Sequence, residues 1–194
     1  MKEEITSETW RVFCAIELPT SLREQLAGHI SSLRSATEAN ASWSSPESIH
    51  LTLKFLGEVE VERVARVSSA VAAAVTSLAP FKIRAEGAGA FPPRGAPRVL
   101  WIGINDAEGK LVDLHARIEA EFAKAGFPKE SRPFRPHLTL ARVRKPVGAS
   151  ALAAAHKERP FTPGDITVSE LAVIRSELSS RGSKYTTISN HQLT

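Results

Sequence analysis

Thiol chemistry is nearly absent from this chain: its one cysteine, Cys14, excludes an internal disulfide and any metal site built from several cysteines. Cys14 also sits in the apolar stretch Val12 to Ile16, which predicts a buried thiol rather than a nucleophile. Long hydrophobic runs are missing as well. No apolar stretch approaches the roughly 20 residues that a membrane-spanning helix needs, and the first ten residues are too polar for a secretory signal, so no membrane partner is expected and the expected compartment is the cytoplasm. A glycine-rich phosphate loop is lacking, since Gly87-Ala88-Gly89 has neither the lysine nor the helix context, and no serine sits in an elbow motif. Net charge is only +4, too small by itself to argue for nucleic acid.

What is present is a duplicated tetrapeptide, His50-Leu51-Thr52-Leu53 and His137-Leu138-Thr139-Leu140. With 6 His in 194 residues, independent draws from the composition predict about 0.003 copies of it. Two copies are not chance. Both read as β-strands, in which residues i and i+2 share a face about 6.5 to 7 Å apart. Each His then lies beside its Thr while the two Leu residues point into a core. The charge distribution adds to this: Lys129, Arg132, Arg135, Arg142, Arg144 and Lys145 stand against the single acid Glu130 around the second copy. A basic segment is ordinarily a solvated face, but next to a His-Thr pair it favours an anionic substrate.

The hydrophobic content of 42% suffices for one core. A strand is expected at Arg11 to Leu18, then a helix starting at Pro19 to Ser21 with the stripe Leu22, Leu26, Ile30 and Leu33. The first motif strand follows the Ser44-Ser45-Pro46 break. Glu60 to Leu78 reads as a second helix closed by Pro80. Strands are predicted at Phe81 to Ala90 and Arg98 to Ile104, around a Pro92-Pro93-Arg94-Gly95 loop. A third helix at Ala107 to Ala125 carries Leu111, Leu114, Ile118 and Phe122 and stops at Gly126. After the second motif strand come a short helix around Ala149 to His156, then strands at Ile166 to Leu178 and Lys184 to Leu193 joined by a Ser179–Ser183 turn. Strand, helix, motif strand thus occurs in each half. About four helices and seven or eight strands make the class α+β, as two similar lobes of one domain spanning 1–194.

A lone His on a strand is ordinarily structural, but a pair can divide the work of acid and base at neutral pH. Thr52 and Thr139 can donate to phosphate oxygens and stabilise developing charge. A zinc site would need a third ligand. No acid lies within either motif, and His29, His115, His156 and His191 fall on predicted helices or at the end of the chain, so no metal and no other cofactor is expected.

These residues resemble the 2H phosphoesterase superfamily, whose signature is the duplicated His-x-Thr-x motif, and in particular its RNA 2′,3′-cyclic phosphodiesterase branch, also called 2′-5′ RNA ligase. The likeness extends to Arg11-Val12-Phe13-Cys14-Ala15-Ile16, Gly89-Ala90-Phe91-Pro92, Arg98-Val99-Leu100-Trp101, Arg132 to Arg142, and Ser176 to Tyr185. It implies a bilobal fold, two antiparallel sheets flanking a central cleft with helices outside. It also implies metal-independent hydrolysis of a terminal 2′,3′-cyclic phosphate on RNA to a 2′-phosphomonoester by a monomer. His50 would be the proton donor, His137 the acceptor and Arg142 a phosphate contact. Motif symmetry leaves the acid and base labels open. Arg142 carries a parity problem: an odd number of residues from His137, it should face away unless the strand bulges after Leu140. Phe13 and Phe55 are candidate stacking surfaces for a base, against the ordinary reading of strand aromatics as core. Ligation through a 2′-5′ linkage, or a non-catalytic nucleotide- or RNA-binding module, are the alternatives.

Overall fold

From Val12 to Ile16 every residue is buried, so the strand that holds them, β1 (Thr9–Ile16), is covered on both faces. The computed structural model describes residues 8–179 and 182–194. The polar start of the chain at 1–7, and residues 180–181 of the expected Ser179–Ser183 turn, lie outside the described residues. Among the described residues β1 is followed by α1 (Thr20–Ser35), β2 (Ala41–Trp43), β3 (Leu51–Glu60), α2 (Val64–Val75), β4 (Phe81–Phe91) and β5 (Val99–Asn105). Then come α3 (Lys110–Lys124), β6 (His137–Val143), α4 (Ala149–Glu158), β7 (Gly164–Val168), β8 (Glu170–Ser179) and β9 (Gly182–Gln192). This is an α+β fold.

The strands make two antiparallel sheets, β3-β1-β8-β9 and β2-β6-β5-β4-β7. One motif lies in each. In both halves a helix joins two antiparallel neighbours, β1-α1-β3 and β5-α3-β6, but the helices cross over. Leu33 of α1 joins Leu152 and Ala153 of α4 over Leu100 and Ala141 of the five-stranded sheet, whereas α3 packs on α2 and β3. The main core therefore runs through both halves, from Val12 and Leu51 of one sheet to Ile102 and Leu138 of the other. None of the described helices is long and apolar enough to cross a membrane.

Helical stripes fall where the spacing predicts, with Leu22, Leu26, Ile30 and Leu33 buried on α1 and Leu111, Leu114, Ile118 and Phe122 on α3. Gly126, at φ 84°, closes α3: its N–H donates to Ala123 O (3.1 Å) and the Phe127 N–H to Phe122 O (2.9 Å), while the two phenyl rings meet edge to face.

Three expectations need correction, and one strand is new. The second helix ends at Val75, ahead of Leu78 and Pro80, because Thr76 turns extended and Ser77 takes φ 59°. The third begins at Lys110 rather than Ala107, since the Asp106 carboxylate accepts the N–H groups of Leu111 and Val112 and the turn ahead of them needs Gly109 at φ 72°. Ile166 to Leu178 is two strands: the chain leaves the five-stranded sheet at Val168 and enters the other at Glu170. β2, three residues long, has too little sequence to show an alternation and was not expected.

Candidate active site

On β6, Leu138 and Leu140 are buried while His137 and Thr139 are partly open on the other face. Across from them β5 pairs Trp101 with Thr139 but Leu100 with Ala141, which leaves Leu140 as the extra residue of a β-bulge. A bulge reverses the facing of all that follows. Arg142 therefore returns to the side of His137, and the parity problem disappears. β3 repeats the device: Thr52 pairs with Ala15 and Lys54 with Cys14, so Leu53, the same motif position, is skipped. Phe55 thus occupies on its strand the place that Arg142 has on the other. His50 stands one residue before β3 rather than within it.

The two imidazoles are tethered alike. His50 Nδ1 lies 2.9 Å from Ser48 O, and His137 Nδ1 lies 2.7 Å from Arg135 O. A carbonyl only accepts, so Nδ1–H donates in both rings and Nε2 is left as the atom that takes up or gives a proton. The surroundings differ. Phe13 stacks on His50 at 4.5 Å between centroids and Tyr185 meets it edge-on at 5.2 Å, whereas Phe91 meets His137 edge-on at 5.1 Å. Burial, only partly offset by the Ser48 carbonyl, lowers the His50 pKa to about 4, with Arg23 adding to the shift.

His50, Thr52, His137, Thr139, Arg142 and Tyr185 surround one cavity of about 140 Å³, completed by Ser44, Ser48 and Ile49. Its corner is braced across the halves: the Ser44 hydroxyl donates to Thr139 O at 2.9 Å and the Ser44 N–H to Leu140 O at 2.8 Å. Among the described residues the Arg142 guanidinium has no hydrogen-bond or ion-pair partner. Phe13, at 3% exposure, is core and a backing for His50, not a surface on the cavity. Phe55 is 52% exposed in the adjoining groove, with the Arg11 guanidinium 5.1 Å from its ring centre. Tyr185 and Ser44 were missed as site residues. Tyr185 had as signals only its place in an alternating strand and at the end of the family-like segment Ser176 to Tyr185, and Ser44 only its place in a turn. Among the described residues no three His, Cys, Asp or Glu side chains converge to hold a metal ion.

Residues 21–179 match the family described as the 2′-5′ RNA ligase superfamily. The chain belongs to that superfamily. Relatives in it include a protein of Methanothermobacter thermautotrophicus named RNA 2′,3′-cyclic phosphodiesterase, 36% identical over 91% of this chain and 95% of that one. A protein of the same name from Archaeoglobus fulgidus is 34% identical over 90% and 96%. Among solved structures, TT0787 of Thermus thermophilus superposes with a TM-score of 0.77 at 30% identity, covering 94% of this chain and 97% of that one. LigT of Escherichia coli complexed with 3′-AMP gives 0.72 at 26% identity, covering 96% and 99%. The two-sheet architecture is thus that of the superfamily.

Proposed function

We propose that this member of the superfamily is an RNA 2′,3′-cyclic phosphodiesterase, hydrolysing the terminal cyclic phosphate to a 2′-phosphomonoester. The observation that carries this is the pair of free Nε2 atoms bordering one small cavity with two threonines and an unpaired arginine. Water attacks phosphorus and gives a proton to Nε2 of neutral His137; the P–O3′ bond breaks, and O3′ takes the proton carried on Nε2 of His50. Atoms and charge balance, and the two rings end with their protonation exchanged. Thr52 and Thr139 donate to the non-bridging oxygens, on which charge builds as water adds. Arg142 holds the same oxygens as a fixed cation.

Burial keeps His50 neutral without substrate. An anionic phosphate beside it favours the charged ring and restores the proton an acid needs. Phe13 and Tyr185 hold this ring in position. The proposal needs no metal, and one chain supplies the whole constellation, which supports action as a monomer on RNA ends; the cytoplasmic setting belongs to the same reading. The relatives' name supports the substrate class.

Incubation with adenosine 2′,3′-cyclic phosphate in excess EDTA, followed by phosphorus NMR, tests it. We expect undiminished turnover and the 2′-phosphate as sole product. Loss of activity restored by a divalent ion, or a dominant 3′-phosphate, would overturn respectively the metal-free mechanism and the assignment of O3′ as leaving group.

A further inference from the structure

The cavity between the imidazoles, about 140 Å³, is well below the roughly 300–1,000 Å³ typical of sites for whole small-molecule ligands. It suits a phosphate with the edge of its ribose, so the rest of an RNA end lies outside it. Thr52 and His137, two residues of its wall, also line a second groove of about 560 Å³, so the two spaces adjoin. Three phenylalanines border this groove, and one of them, Phe91, is taken up by its edge-on contact with His137. Phe55 is half exposed, with Arg11 against its ring. Phe134 is held flat by stacking on His115 at 3.9 Å and 9°.

Charge separates the possible occupants. Lys54 pairs with Glu119 at 2.6 Å, and Arg132 with Glu130 at 2.9 Å. Both acids of the groove are thereby neutralised. Arg135 is exposed, and among the described residues its guanidinium has no partner, although its carbonyl holds His137. One uncompensated cation next to aromatic faces fits a nucleotide arriving through a phosphodiester. A terminal base, which brings no charge, leaves that cation unused.

We infer that this groove is a subsite for the nucleotide on the 5′ side of the terminal ribose, its base on the exposed Phe55 ring and its linking phosphate at Arg135. The enzyme is accordingly selective for oligoribonucleotide ends over mononucleotide cyclic phosphates. This rests on the cyclic phosphodiesterase reading above.

The test compares kcat/KM for a dinucleotide ending in a 2′,3′-cyclic phosphate with that for the mononucleotide, in the wild type and in Arg135→Gln and Phe55→Leu. Stacking and one phosphate contact predict a wild-type preference of at least about fivefold, with each variant cutting that ratio by about threefold or more. Equal wild-type values for the two substrates would overturn the subsite. So would variants that slow both substrates alike, because the groove would then serve the terminal nucleotide or the fold. Calorimetric binding of the corresponding 2′-phosphorylated dinucleotide and mononucleotide separates the two proposals. With no turnover of either cyclic phosphate, the phosphodiesterase reading fails; a length preference in affinity that Arg135→Gln removes still sustains the subsite, and equal affinities end it.

Discussion

Two imidazoles with the same backbone tether differ in what surrounds them, and that difference is measurable. His50 lies under Phe13 and Tyr185 with its pKa lowered to about 4. In the free enzyme one limb of the kcat/KM profile therefore falls near pH 4. Bound phosphate, an anion, favours the charged ring, so the matching limb of kcat moves to higher pH. Profiles of kcat and kcat/KM with identical limbs would contradict this. The threonines act on charge rather than shape: Thr52→Val and Thr139→Val each should lower kcat about 10-fold or more with the fold intact, as loss of a transition-state donor does. Unchanged kinetics in both would reduce them to strand formers. At this scale most of the site was legible, because a repeated tetrapeptide carries its own geometry. Phe13 follows the ordinary reading of a strand aromatic as core rather than the stacking alternative, as the unbroken apolar run Val12 to Ile16 implies for a strand covered on both faces. Tyr185 escaped notice because its partners, Phe13 and His50, lie more than a hundred residues away in sequence.

Bulges are what make these strands an active site. Without the extra Leu140, Arg142 would point into the core. The sequence allowed this only as a condition, since nothing in His137-Leu138-Thr139-Leu140-Ala141-Arg142 announces which residue goes unpaired. The division of Ile166 to Leu178 at Ser169 left only a small mark in the sequence, the consecutive polar pair Ser169-Glu170 that moves the apolar phase from Ile166 and Val168 to Leu171 and Val173. Close packing behind the second motif gives the prediction at this scale. Gly89 faces Trp101 across β4 and β5, and a Cβ there would fall 2.2 Å from the indole. That indole packs against Phe91, which meets the His137 ring. Gly89→Ala is expected to cost about 1–3 kcal/mol by overpacking and to lower turnover. Unaltered thermal and kinetic behaviour would mean the indole moves freely.

Across the whole molecule the two halves are joined by more than apolar packing. Lys54, just past the bulge of the first motif, reaches Glu119 on α3 and the carbonyl of Pro128, and Glu119 also accepts the N–H of Glu130 on the approach to the second motif. Both side chains are largely buried. Lys54→Met should cost about 3–5 kcal/mol by leaving the carboxylate unpaired, and Lys54→Met with Glu119→Leu much less; a denaturant series checks this, and equal losses in the two would refute a buried-pair account. The crossover of α1 and α3 between sheets could not be read from the chain, because stripe and spacing fix which face of a helix is apolar but not which sheet receives it. What the fold accomplishes is to bring one imidazole from each sheet to one cavity, and the central claim is that they share a single reaction. Turnover of a 2′,3′-cyclic phosphate by His50→Ala, His137→Ala and the double variant measures that sharing. Each single change is expected to cost at least about 100-fold, and the double variant far less than the product of the two. A folded single variant with near wild-type turnover, or costs that simply multiply, would contradict it.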